Sequence, residues 1–216
     1  VRALIDSFKH LPLKGYISAP SYSPLNPELE TVAKNLTNED LAEMLSWPEC
    51  VGIGETVASE ILRGSDEYLS RIDLTHQRGL KVSGHGGDLP PGNENALDAY
   101  VAACVQDDHC VTKPEYLLPR LRRGLSLFLV ETRGRTYLSD GLLAHIVDKK
   151  IPLDQLHLCI DNMSVTQIVD NGPGYIDRLV SMAIDAGIHP ADAYRMGSFN
   201  TAKHFGKGDW IGSLSP

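Results

Sequence analysis

Short apolar runs alternate with stretches of helical periodicity along this chain, and that alternation constrains its fold more than any other feature. Strand-type runs fall at Gly15 to Ala19, Val51 to Gly54, Leu80 to Ser83, Leu125 to Val130 and Leu156 to Ile160, with a weaker one near Cys104 to Gln106. Between them lie helical stripes: Leu41, Met44 and Leu45; Tyr68, Leu69, Ile72 and His76; Leu97, Tyr100 and Val101; Leu142, Leu143 and Ile146; Ile176, Leu179, Val180, Ala183 and Ile184. Thr37-Asn38-Glu39-Asp40 has the pattern of a capping box, Ser139-Asp140 that of a helix cap, and Arg78-Gly79 that of a stop. Pro190 to Phe205 reads as a helical tail. Runs without polar alternation are buried on both faces, and such runs alternating with helices imply a parallel sheet in an α/β fold. A spacing of roughly 25 to 35 residues per strand and helix fits a (β/α) barrel or a doubly wound sheet, and a complete barrel takes about 250 residues. The expectation is therefore a TIM barrel, incomplete on its N-terminal side, with residues 1–216 as one partial domain.

Charge and composition narrow the partners. The chain has 216 residues and carries 20 basic against 28 acidic side chains, a formal net charge of −8. An acidic surface does not suit nucleic acid, whose phosphates call for a basic face. Arg120, Arg122 and Arg123 form the densest basic cluster, and their helical spacing reads as a solvated helix end. No apolar run approaches the roughly 20 residues that span a bilayer, and nothing at the start resembles a signal peptide. Cys50, Cys104, Cys110 and Cys159 show no CxxC spacing and read as reduced thiols of a cytoplasmic protein. The chain opens at Val1 without a methionine and closes at Ser215-Pro216 after a Gly-rich turn, so the expectation is a piece of a longer protein.

Chemistry-bearing side chains recur where the strands end. Glu55 follows Gly52-Ile53-Gly54, His85 sits in Ser83-Gly84-His85-Gly86-Gly87, His109 follows Asp107-Asp108, Glu131 ends the fifth run, and Asp161 follows the sixth. In a parallel barrel the C-terminal strand ends meet at one mouth, where such folds hold their chemistry. Imidazoles and carboxylates together suit zinc, iron or manganese. Such ions bring the pKa of water near neutrality, and a remaining carboxylate can carry its proton. Taken singly the signals are weak: Glu55 reads more often as a polar loop residue than as a ligand, His109 equally as an exposed residue before a helix, and Asp161 also as a helix cap. The conjunction is what carries weight. His157 reads as structural, and His10, His76, His145, His189 and His204 as surface or packing residues. The Gly-rich stretch around His85 lacks the spacing of a nucleotide-phosphate loop, Ser83-Gly84-His85 is not a nucleophile elbow, and Cys110 reads as a packing or pocket-wall residue.

Several of these stretches resemble adenine deaminases of the amidohydrolase superfamily. They are Leu45-Ser46-Trp47-Pro48 with VGIGE through Glu55, KVSGHG around His85, LDAYVAACVQDDH ending at His109, LHLCIDN around Asp161, IDRLVSMAIDAGIHPADAYRMGSFNTAKHFG, and GDWIGSLSP. The resemblance implies a (β/α)8 barrel with two divalent cations (manganese, iron or zinc) and hydrolytic deamination of adenine to hypoxanthine and ammonia by a metal-activated hydroxide. Carried over position by position, Glu55 bridges the metals, His85 and His109 ligate the second metal, and Asp161 ligates the first and passes protons to the ring nitrogen and leaving amine. Glu131 takes a supporting catalytic role. The resemblance further implies a homo-oligomer acting on a small molecule, with no nucleic acid and no membrane partner.

The chain also departs from that pattern. The family's first-strand His-x-His pair is absent, Asp107-Asp108-His109-Cys110 stands where the family has Ser-Asp-His-Glu, and Ile160-Asp161-Asn162 where it has Thr-Asp-Asp. A related aminated heterocycle, a pterin or another purine, is the alternative substrate, and a non-catalytic ligand-binding homologue is the alternative class. A third reading, a phosphate-binding barrel, would use Gly172-Pro173-Gly174. Without the His-x-His pair, these 216 residues alone are expected to be inactive or to bind one metal weakly.

Overall fold

The computed structural model describes residues 1–24, 28–31, 34–89, 92–132, 134–169 and 174–214. The glycine turn of the phosphate reading lies mostly outside them, at residues 172 and 173. The chain divides into two compact units, one of Val1–Leu89 with Asn95–Gln106, the other of Pro90–Glu94 with Asp107–Pro216.

The first unit carries three parallel strands, β1 (Ile17–Ala19), β2 (Cys50–Val57) and β3 (Lys81–His85), with β2 between the other two. Ile53 and Val82 of its strands are fully buried, as are Leu41 and Tyr100 of its helices. The strands form where expected, but β2 runs on through Glu55 to Val57. Gly52 makes the β2–β3 pairing possible, because a Cβ there would lie 2.1 Å from the Lys81 carbonyl oxygen. The capping box forms as the sequence indicates: Thr37 Oγ1 accepts from the Asp40 amide at 3.1 Å, and the Asp40 carboxylate accepts from the Thr37 amide at 3.1 Å. Lys34 and these Thr37 bonds hold the Asp40 carboxyl down to about 2. Helix Asp66–His76 ends at the expected stop, where Gly79 at φ 67° lets the Leu80 amide return to the Thr75 carbonyl.

The buried face of helix Asp66–His76 differs from the sequence stripe. Tyr68, Arg71, Ile72 and Thr75 point inward, while Leu69 is 38% exposed. Arg71 turns the helix. Its guanidinium donates to the carbonyls of Ser21 and Leu36 at 2.7 Å each, to Asn38 Oδ1 at 3.2 Å, and to Glu67. A hydropathy pattern cannot anticipate an arginine that serves as the donor for a loop's carbonyls.

The second unit carries β4 (Asp107–Asp108), β5 (Ser126–Val130) and β6 (Leu156–Cys159), again parallel with β5 in the middle. β4 is two residues long and lies just beyond the expected Cys104 to Gln106 run. Leu127, Leu129 and Leu156 are fully buried, and helices Ile176–Asp185 and Pro190–Gly197 add Leu179, Ala183, Ala193 and Met196 to the core. The tail is two helices, Pro190–Gly197 and Phe199–His204. Asn200 fixes the second by donating to the carbonyls of Leu153 and Leu156 at 2.8 and 3.0 Å. The arginine cluster is not wholly solvated: Arg120 is buried, with its Nε 2.6 Å from Asp108 Oδ2. Among the described residues no helix is long and apolar enough to cross a membrane.

His157, read as structural, lies buried on β6, stacked on Phe128 with ring centroids 4.4 Å apart. Its Nδ1 is 3.3 Å from Thr201 Oγ1, while its buried Nε2 has no hydrogen-bond partner. Burial, and secondarily the neighbouring His204, lowers its pKa to about 3. The unfolded imidazole titrates near 6.5, so the folded state favours neutral His157. Its contribution is fully present above pH ~6.5 and is lost as pH falls toward about 3, by at most about 1.4 kcal/mol per pH unit. Urea midpoints measured between pH 7 and 4 should fall more steeply in the wild type than in His157→Phe; equal slopes would contradict the assignment.

Candidate functional site

In the first unit, the ends of two neighbouring strands bring a carboxylate to an imidazole. Thr56 and Val57 of β2 pair with Gly84 and His85 of β3, and the register shifts between Ile53 and Thr56. Such an irregularity re-aims the side chains it contains, here that of Glu55. Glu55 Oε2 lies 2.8 Å from His85 Nδ1, and the two side chains keep 43% and 37% of their exposure, so solvent species can reach them. The Ser21 hydroxyl donates to the Glu55 backbone carbonyl and fixes the peptide from β1's side. The Glu55 carboxylate beside His85 Nδ1 orients the ring.

In the second unit the remaining three candidates stand after consecutive strands. His109 directly follows β4, Glu131 directly follows β5, and Asp161 stands two residues beyond β6. Asp161 Oδ1 accepts from the Asn162 amide at 2.7 Å, and Oδ2 pairs with Arg135, whose own side chain is 44% exposed. Glu131 is fully buried. Its Oε2 accepts from the Leu138 amide at 2.9 Å, its Oε1 accepts from the Ser139 hydroxyl at 2.7 Å, and Arg178 stands 4.0 Å away. Ser139 therefore lies inside the helical turn Leu138–Leu142 rather than capping it from outside; the carboxylate from the end of β5 supplies the cap. A strand-end acid and a cap motif eight residues later were both visible in the sequence, but their mutual pairing was not.

The acids beside His109 are each matched by a buried cationic or imidazole group. Asp108 pairs with Arg120, and Asp107 Oδ2 lies 2.7 Å from His204 Nε2. Arg120 and His204 were not singled out from sequence for this region. The available signal was Asp107-Asp108 itself, since two successive residues of a buried strand point to opposite faces and each buried carboxylate then needs its own partner.

The donors fit divalent cations. A solvent-accessible carboxylate–imidazole pair and a carboxylate whose outer oxygen is held by an exposed guanidinium are oxygen and nitrogen ligands of the kind zinc, iron and manganese accept.

No protein-family model matches the chain. Curated relatives do, over all of it. It is 32% identical over 217 residues to an adenine deaminase of Ruegeria sp. (strain TM1040), 32% identical to one of Desulforamulus reducens, and 30% identical to adenine deaminase 3 of Rhizobium meliloti. In each case the whole of this chain is covered, and it spans about a third of the relative's length, 35%, 36% and 36%. The likeness to adenine deaminases anticipated from the motifs around Glu55, His85, His109 and Asp161 is thus matched along the full chain. A crystal structure of a Xaa-Pro dipeptidase with bound methionine superposes on 99% of this chain and 63% of its own, with a TM-score of 0.41 and 10% identity, too distant to bear on fold or function.

If Glu55 and His85 are ligands, removing either should cost more than the roughly 10- to 100-fold in metal affinity that outer-sphere changes cost. Isothermal titration of the intact protein with zinc or manganese checks this in Glu55→Ala and His85→Ala; wild-type affinity in both would remove the pair from the metal site.

Proposed function

We propose that this chain supplies part of the barrel mouth of a metal-dependent hydrolase that converts adenine and water to hypoxanthine and ammonia. The observation that carries the reading is the Glu55–His85 contact at neighbouring strand ends, supported by similarity, over the whole of this chain and about a third of each relative, to proteins named adenine deaminase. In this reading Glu55, His85, His109 and Asp161 hold two divalent cations, in a (β/α)8 barrel completed by segments outside these 216 residues. The cations lower the pKa of water and so supply a nucleophile at neutral pH.

The chain's own groups do the rest. Asp161 takes one proton from the attacking water and delivers it to the adenine ring nitrogen beside the reacting carbon, then takes the second from the added hydroxyl and delivers it to the departing amine. A carbon–oxygen bond forms, the carbon–nitrogen bond to the exocyclic amine breaks, and the water's protons leave with ammonia and the product. Arg135 steadies the Asp161 carboxylate from the solvent side. Glu131 supports the site by fixing the backbone that follows β5 at Leu138 and Ser139. Assembly into a homo-oligomer, and inactivity of these residues when separated from the rest of the barrel, belong to the same proposal.

Two positions favour keeping a second substrate in view. Cys110 and Asn162 stand beside His109 and Asp161 where an acid is expected, so the groups nearest the heterocycle need not select adenine. Ammonia release from the intact, metal-loaded protein, assayed on adenine, other aminopurines and aminopterins, separates these substrates from a binding protein that releases none. On the active substrate, Asp161→Asn should lower kcat by about 100- to 10,000-fold. A variant within a few-fold of wild type would take the proton-carrying role from Asp161.

A further inference from the structure

β4 is the shortest strand among the described residues, yet both of its residues are buried carboxylates, and His109 follows immediately. Two features hold this segment. Asp108 brackets His109 along the chain: its Oδ1 accepts from the Cys110 amide at 2.9 Å, while its Oδ2 is held by Arg120 Nε at 2.6 Å. Arg120 is itself fixed, buried at the end of helix Leu117–Leu121 with its guanidinium 5.0 Å from the Tyr116 ring centre. On the preceding residue, Asp107 is tied to His204 Nε2 at 2.7 Å, both side chains being nearly inaccessible to solvent. His204 ends helix Phe199–His204, which Asn200 pins to the residues before β6 and to its first carbonyl. The segment leading into His109 is thus tied, through the Asp108 and Asp107 side chains, to two different helices.

A two-residue strand has few ladder bonds to set the direction of the residue after it. Buried, charge-assisted hydrogen bonds are short and directional, and they do that work here. We infer that Arg120 and His204 are positioning residues for His109: through Asp108 and Asp107 they fix its backbone for metal ligation. The inference rests on the reading of His109 as a ligand. It also accounts for Asp107, which departs from the family's serine: the added carboxylate is matched within this chain by His204.

The test is Mn2+ binding to the intact protein, followed by the electron paramagnetic resonance of free Mn2+, with hydrogen exchange at the Cys110 amide as the second readout. Removing only one member of the buried Arg120–Asp108 pair leaves an uncompensated charge and risks unfolding, so the informative variant is the double Asp108→Asn, Arg120→Gln, which removes both charges together. It should weaken Mn2+ binding by about 10- to 100-fold and speed exchange at Cys110, with the urea midpoint largely retained. His204→Leu should weaken binding likewise, and His204→Gln, whose amide can still donate to Asp107, should restore most of it. A merely structural role predicts no such rescue and no change in affinity in a folded double variant. Wild-type affinity in the folded double variant and in His204→Leu, with binding lost in His109→Ala, overturns the positioning role and leaves the metal reading standing. Wild-type affinity in His109→Ala overturns both.

Discussion

The contact between the Glu55 carboxylate and the His85 ring ties the candidate chemistry of the first unit to its strands. It exists because two parallel strands end side by side, and they do so because Gly52 leaves room for the Lys81 carbonyl. Any side chain at 52 would push the strands apart and displace the strand ends with them. The register irregularity after Ile53 then turns Glu55 toward its neighbour. Backbone packing here sets the geometry of the polar pair.

The second unit solves a different problem. Buried carboxylates are costly unless matched, and here each is matched: Asp108 by Arg120, Asp107 by His204, Glu131 by the Leu138 amide and the Ser139 hydroxyl. Breaking a buried ion pair by removing one partner costs about 3–5 kcal/mol, a large share of the roughly 5–15 kcal/mol that holds a domain folded. The same contacts stabilise the unit and aim the residues at its strand ends. Arg71 does comparable work in the first unit, where it satisfies the carbonyls of Ser21 and Leu36.

Much of the architecture was legible because it rests on local chemistry. The strand positions followed from unbroken apolar runs, the Thr37 capping box from its spacing, and the end of helix Asp66–His76 from Gly79. The candidate residues were legible for a related reason, since polar side chains just beyond apolar runs stand out. The buried partners of these polar groups were not. Arg120 shares its helical spacing with the exposed Arg122, Arg71 lies outside the apolar stripe of its helix, and His204 lies 97 residues from Asp107. Pairings across such distances are set by packing, and one sequence carries no periodic trace of them. The weak run at Cys104 to Gln106 likewise ended short of β4, because Asp107 and Asp108 become strand residues only when their charges are matched.

The central claim is that Glu55, His85, His109 and Asp161 serve one metal-dependent hydrolytic site. Diffraction at the manganese absorption edge, from crystals of the intact manganese-loaded protein, measures it directly. The account predicts anomalous peaks within about 2.0–2.3 Å of donor atoms on those four side chains. Manganese ligated by other residues, or peaks far from these four, would contradict it.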